Sequence, residues 1–285
     1  MMMTVEEMER EHQKDLRRLR NFRLLDDDFM TRVFDGEPRY IQLVLRIVLQ
    51  MPELEVIEVR TQVFVENLLK RSVQLDIVAR DGAGRIFNVE IQRADEGADP
   101  RRARYNSSMV DANLLSRKSM KFYALPDAWV IFITENDVFG EGRALYPVER
   151  YMEGSGKKFD DGSHILYVNG AYRGEDDVGR LMHDFSCTNP DDMYYEALAE
   201  RTRHFKESKE GIAIMCKAME DMREEYLRKG IEQGVRQGER TGEKKRAEEV
   251  ALRMLRAGKY AVEEIVDMSG LSMAEVQGLK ASATA

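Results

Sequence analysis

Hydrophobic and polar positions change their period several times along the chain, and each change predicts a different element. Val5 to Arg20 (VEEMEREHQKDLRRLR) is almost entirely polar and predicts an exposed helix or arm. Asp26-Asp27-Asp28 then forms an N-cap-like acidic start before Phe29, Met30, Val33 and Phe34 at helical spacing. Pro38 stands where a second helix begins, Arg39 to Gln50 carries one broad apolar stripe, and Pro52 ends it. From Val56 the texture becomes β-branched, in VIEV and QVFVE. Ser72 to Asp81 alternates, with Val73, Leu75, Ile77 and Ala79 on one face and Gln74, Asp76 and Val78 on the other. Arg85 to Arg93 alternates as well, Phe87, Val89 and Ile91 opposite Ile86, Asn88, Glu90 and Gln92. Gly82-Ala83-Gly84 between them predicts a hairpin whose third loop residue is left-handed.

Arg102 to Arg117 follows as a helix and Trp129 to Thr134 as a buried strand, so strand, helix and strand imply a right-handed parallel crossover. Phe139 to Gly174 is rich in turn residues, with one more strand at His164 to Val168, and Asp191 to Met222 reads as helical. The fold class expected is α/β: a mixed sheet flanked by helices, with a helical C-terminal tail. Within that tail, Glu220 to Glu249 holds nine acids, eight bases and glycines at 230, 234, 238 and 242. Each interior helix glycine costs about 1 kcal/mol relative to alanine. The stretch is therefore either a weak, flexible helical linker or a close-packed seam through which the chain homodimerises. Ala261 to Met268, a Ser269-Gly270 turn and a Ser272/Glu275 capping box outline a small helix-turn-helix-like module. Arg256 to Lys280 carries three bases against four acids, which suits packing or partner contact better than base reading. Four parts result: an arm at 1–22, a main domain at 23–222, a charged glycine-spaced linker at 223–257 and the end module at 258–285.

Composition narrows the function. The 285 residues are 43% hydrophobic, enough for a packed core, and the net charge of -8 excludes a uniformly cationic coat for nucleic acid. Phosphate binding must come from a local patch. Two cysteines, Cys187 and Cys216, make no disulfide framework. The longest purely apolar run, Ala128 to Ile133, falls far short of the roughly 18 residues of a membrane span. The opening MMMTVEEMER lacks the apolar stretch of a signal peptide. A soluble, cytoplasmic protein is expected.

The hairpin register carries the chemistry. With Gly82-Ala83-Gly84 as the loop, Asp81 faces Arg85 and, counting outward, Asp76 faces Glu90, with Gln92 on the same side. Directly opposed residues lie about 4.5–5.5 Å apart at Cβ. Two carboxylates that close repel unless a cation lies between them. Mg2+ (or Mn2+) accepts one or two carboxylates plus waters and phosphates, and the Ile91 backbone carbonyl offers a third protein ligand. A metal so held polarises a phosphodiester and activates water. The bland alternative is a solvated strand face, but Asp is depleted in strands and mid-strand acid pairs break a local rule.

Asp76, a hairpin and Glu90-Ile91-Gln92 resemble the D…ExK core of the PD-(D/E)XK nuclease superfamily, in its ExQ form. Taken together, LLDDDFMTRVF, SVQLDIVARD, NVEIQR, RRARYNSSM and WVIFITENDVFG are similar to the PD-(D/E)XK family transposases, relatives of the recombination-promoting nucleases, over about Leu24 to Lys209. The resemblance implies a restriction-endonuclease-like mixed sheet and Mg2+-dependent cleavage of double-stranded DNA. It implies Asp76 and Glu90 as metal ligands and a further acid from the first helix, Asp27 or Asp28, with Asp27 preferred. Gln92 departs from the superfamily lysine: an amide is no base and no counter-charge, and orients water or phosphate only by hydrogen bonds. Arg101 to Lys121 holds six bases against one acid. Arg101, Arg102, Arg104, Tyr105, Lys118 and Lys121 are accordingly expected on the DNA backbone, near the N-terminus of their helix.

Other signals carry less. Gly154-Ser155-Gly156-Lys157 lacks the spacing and the hydroxyl residue of a P-loop. His183 and Cys187 have i,i+4 spacing, but a structural zinc site wants four ligands and no second pair follows. The methionines, among them Met215, Met219 and Met222, suit core filling. Besides the nuclease, Gln92 and the acidic total keep open a catalytically silent DNA-binding or assembly module on the same fold, and the glycine row a dimeric scaffold.

Overall fold

Burial of alternating faces dictates the architecture. The computed structural model describes residues 5–65, 72–93, 95–115 and 121–283. Two compact units emerge, Met1–Met219 and Glu220–Ala285.

The first unit opens with helices α1 (Val5–Asn21), α2 (Asp27–Phe34) and α3 (Pro38–Val48). Its strands are β1 (Val56–Val65), β2 (Val73–Asp81), β3 (Ile86–Gln92), β4 (Ala128–Thr134), β5 (Leu145–Val148) and β6 (Ser163–Asn169). They form one sheet in the order β1-β2-β3-β4-β6-β5. The β1–β2–β3 part is antiparallel, β3–β4 and β4–β6 are parallel, and β5 returns antiparallel to β6. The expected α/β fold, a mixed sheet flanked by helices, is therefore what the chain adopts. Helix α4 (Pro100–Leu115) makes the β3–β4 crossover. Helices α5 (Asp177–Ser186) and α6 (Glu196–Glu207) follow, and α7 (Lys209–Ala257) continues into the second unit.

Both faces of the sheet are covered, which is why every residue of β4 is buried. On one face Ile77, Ala79, Phe87, Val89 and Ile131 join Phe29, Phe34, Tyr40 and Phe185 in the main core. On the other, Ala103 of α4 packs among Val130, Phe132 and Tyr167, and Met109 and Val110 among Leu75, Ile86 and Val65. Met215 and Met219 are fully buried, as core filler should be.

Several expectations change in detail. VIEV and QVFV lie on one long strand, β1, and Glu66 falls outside the described residues. The arm at 1–22 is not separate from the main core, because Leu19 and Phe22 are buried in it. Strand β5 and helix α5 are unannounced by the pattern; α5 starts where the Asp176 carboxylate accepts the Gly179 N–H at 2.8 Å. The predicted face Val73, Leu75, Ile77, Ala79 divides: Ile77 and Ala79 enter the main core, while Leu75 and Val73 join the cluster on the α4 side. The break falls at Asp76.

In the second unit, Ala251 of α7 packs with Ile265, Leu271 and Val276 of α8 (Val262–Ser269) and α9 (Met273–Ala283). The expected linker and end module thus share a core. Ser272 and Glu275 make the reciprocal cap, and Gly270 supplies the left-handed turn. Glycines 230, 234, 238 and 242 lie on continuous helix with nothing within 4 Å of an added Cβ. No helix among the described residues is long and apolar enough to cross a membrane.

Candidate metal centre

The hairpin forms in the expected register. Gly84 is left-handed at φ 86, and Ile77 pairs Val89 while Arg80 pairs Ile86. The same count, carried one step further, sets Asp76 against Glu90. The regular ladder stops just before that step, and the acids take over its bonds. Asp76 donates its N–H to Glu90 Oε1 at 3.4 Å, and Asp76 Oδ2 accepts the Ile91 N–H at 3.0 Å. On the other side β1 pairs Thr61 with Ile77 and Val63 with Leu75, skipping Gln62 opposite Asp76. Gln62 is left-handed, at φ 50. A non-glycine residue there is uncommon, and such backbone concentrates at functional sites. Asp76 is thereby freed from both neighbouring ladders, which explains the break in alternation.

Glu90 is fully buried and Asp76 keeps only a partial opening to solvent. Burial, and next the charge of Glu90, push the Asp76 carboxyl up to about 7. Burial raises Glu90 too, against the pull of Arg102. The two carboxyls titrate as a pair. The Asn88 amide, fully buried two residues before Glu90, steadies the Glu90 charge, yet neither of its polar atoms forms a well-shaped hydrogen bond.

Arg102 of α4 completes the cluster. Its guanidinium donates to Glu90 Oε2 at 3.0 Å, to Gln92 Oε1 at 3.2 Å and to the Gly97 carbonyl at 3.0 Å. Gly97 leaves the room: a Cβ there would lie 2.0 Å from Gln92 Oε1. Arg102 therefore sits inside the acid cluster, a role its place in a basic run did not reveal. Asp99 caps the helix that brings it, accepting the Arg101 N–H at 2.7 Å.

Of the two first-helix acids, Asp27 lies within the electrostatic reach of Asp76. Its Oδ1 accepts from Gln62 Nε2 at 2.9 Å, and Gln74 donates to Gln62 at 2.7 Å. Burial raises Asp27, and the bonds it accepts from Gln62 and Thr31 oppose the rise. Asp28 instead pairs with Arg18 at 3.3 Å. Asp27 does not close to a shared ligand distance with Asp76 and Glu90. Among the described residues only His183, Asp184 and Cys187 bring three ligand atoms within 4.8 Å. Gln62 is a participant the sequence did not disclose, because its role depends on an unusual backbone angle.

The remaining expected DNA contacts scatter. Arg101 and Arg104 are exposed on α4, whereas Tyr105 packs against the Leu75 cluster. Lys121 is exposed with its ammonium 5.6 Å from the Tyr123 ring centre. Lys118 lies outside the described residues.

Buried Glu90 and half-buried Asp76 have the Arg102 guanidinium as their common cation, so ionising both acids leaves negative charge in excess. A divalent cation between Asp76 and Glu90 would remove the excess. The oxygen donors, with the Ile91 carbonyl on the strand residue whose N–H already meets Asp76, suit a hard ion such as Mg2+. Comparison with family models, with curated proteins and with solved structures finds no match for this chain.

Proposed function

We propose that the protein is a Mg2+-dependent endonuclease acting on double-stranded DNA. The observation that carries the reading is the enclosed Asp76–Glu90 pair, released from the ladder and cross-bonded through Asp76 N–H and Ile91 N–H. Asp76 and Glu90 would hold the ion, which when bound supplies a polarised phosphate and an acidified water. Asp27, held by Gln62 within electrostatic reach of Asp76, would accept a proton from the incoming water. Gln92 orients that water or a phosphate oxygen. Arg102, bonded to both Glu90 and Gln92, restores at this point the positive charge that glutamine lacks. Arg101 and Arg104, exposed on the same helix, seat the phosphate backbone. Cys187 and Cys216 are not joined in a disulfide, in keeping with a reduced cytoplasmic setting.

A plasmid-nicking assay with Mg2+ or Mn2+ tests the proposal. Wild type is expected to convert supercoiled to open-circular DNA, and Asp76→Ala and Glu90→Ala to lose the activity. Variants that cut as well as wild type would overturn the site.

One observation favours the silent DNA-binding module instead: Arg102 already neutralises part of the acid pair without any ion. Calorimetry with Mn2+ separates the two. Absence of saturable binding together with absence of cleavage would favour the silent module.

A further inference from the structure

The end of α5 gathers three metal-ligating side chains that phosphodiester cleavage does not use. His183 lies in the last turn of α5, Asp184 follows it, and Cys187 is the residue that ends the helix. His183 Nδ1 is 3.4 Å from Asp184 Oδ1 and 3.4 Å from Cys187 Sγ. With zinc–nitrogen and zinc–oxygen bonds of about 2.0–2.2 Å and zinc–sulfur of about 2.3 Å, tetrahedral angles put ligand atoms roughly 3.4–3.6 Å apart. His183 Nδ1 stands at that spacing from both neighbours, and all three ligand atoms lie within 4.8 Å of one another; Cys187 Sγ is also 3.8 Å from His183 Nε2, over the ring, so a turn of the half-exposed imidazole is what brings its lone pair to a shared ion. We propose that His183, Asp184 and Cys187 form a Zn2+ site, with water at the fourth corner.

The donor set selects the ion. A thiolate and an imidazole suit Zn2+ and disfavour Mg2+, so this centre would not compete for the ion of the Asp76–Glu90 pair. The carboxylate is already oriented. Asp184 is fully buried, and its two oxygens accept the Tyr194 and Tyr195 N–H groups at 2.8 Å each. Such outer hydrogen bonds hold ligating carboxylates in known metal sites. The intervening loop is fixed as well: Lys206 Nζ donates to the Thr188 carbonyl, and the Asn189 side chain accepts the Asp191 N–H at 3.2 Å. His183 and Cys187 are half-exposed, which leaves the ion a way in. On binding, the Cys187 proton leaves to solvent and a zinc–sulfur bond forms. The ion would tie the last turn of α5 to the Tyr194–Tyr195 segment that leads into α6. The i,i+4 spacing of His183 and Cys187 is legible in the sequence; Asp184 is not, because it adjoins His183 rather than standing at a recognisable ligand spacing.

Full-length protein, stripped with EDTA and desalted, is titrated with Co2+ as a spectroscopic stand-in for Zn2+. A thiolate-to-cobalt charge-transfer band saturating at one ion per chain is expected, erased by Zn2+ and untouched by excess Mg2+. Cys187→Ser is expected to abolish the band, and His183→Ala to weaken Co2+ binding at least about tenfold, the loss that even an outer partner causes. Cys216→Ser is the control, because Cys216 also has a histidine neighbour, His12, at 3.9 Å. It should keep the band. Far-UV circular dichroism shows that each variant is folded, and the exposed His183 ring keeps the test valid if Cys187→Ser misfolds. No band in wild type, or a band that survives Cys187→Ser in folded protein, would overturn the proposal. DNA nicking plays no part in this readout.

Discussion

The Asp76→Asn substitution separates the chemistry of the site from the stability of the fold. Asp76 titrates at about 7 against an ordinary 3.8, because burial and the Glu90 charge oppose its ionisation. A carboxyl whose folded value lies above its unfolded value destabilises the fold when charged. The penalty is absent below about pH 4, grows as pH rises, and is complete above about pH 7. That rise sets a ceiling of about 4 kcal/mol. Asp76 keeps a partial opening to solvent, so about 2 kcal/mol is the working figure. Asparagine can still accept the Ile91 N–H through its own oxygen. In a unit of this size about 2 kcal/mol corresponds to roughly 4–8 °C in Tm. Thermal unfolding in EDTA should find the variant several degrees more stable than wild type at pH 8 and equal to it near pH 4. Added Mg2+ should raise the wild-type Tm at pH 8 and leave the variant unmoved. A variant less stable at pH 8, or a difference that does not change with pH, would refute the reasoning.

Arg102→Ala leaves the fully buried Glu90 without its cation and should cost about 3–5 kcal/mol at pH 8, with a smaller loss in acid as Glu90 takes up a proton; urea unfolding at both pH values measures it. Gly97→Ala pushes Gln92 aside while the fold persists, so nicking should slow about a hundredfold with little change in Tm. Arg101→Ala with Arg104→Ala should reduce the salt slope of DNA binding by about one to two, read by fluorescence anisotropy from low to moderate salt, with no preference among duplex sequences. Gly234→Ala and Gly238→Ala meet open space and should each stabilise α7 by about 1 kcal/mol in melts followed by circular dichroism; destabilisation accompanied by a lower mass in solution would instead reveal the glycine row as a seam between copies.

The chain's alternation dictates the hairpin, its register and the opposition of Asp76 and Glu90, because a period of two and a three-residue glycine loop leave little freedom. The sequence also dictates the β3–α4–β4 crossover and the burial of β4, since an unbroken apolar strand needs helices on both faces. It did not determine that β2 changes face at Asp76. That follows from a left-handed Gln62 on the neighbouring strand, a backbone state no periodicity encodes. Nor did it assign Arg102 to Glu90, since a helix run rich in arginine looks the same whether its side chains meet solvent or a buried acid. Packing decided that: Ala103 seats α4 against the sheet, and the residue beside it is delivered to the acids. The orientation of the Asp184 carboxylate beside His183 and Cys187 depends likewise on the loop that follows, whose Tyr194 and Tyr195 amides fix it. Local pattern fixes which residues stand opposite one another across the hairpin, and only the meeting of separate elements fixes where a strand face turns and which charges must share one enclosed space.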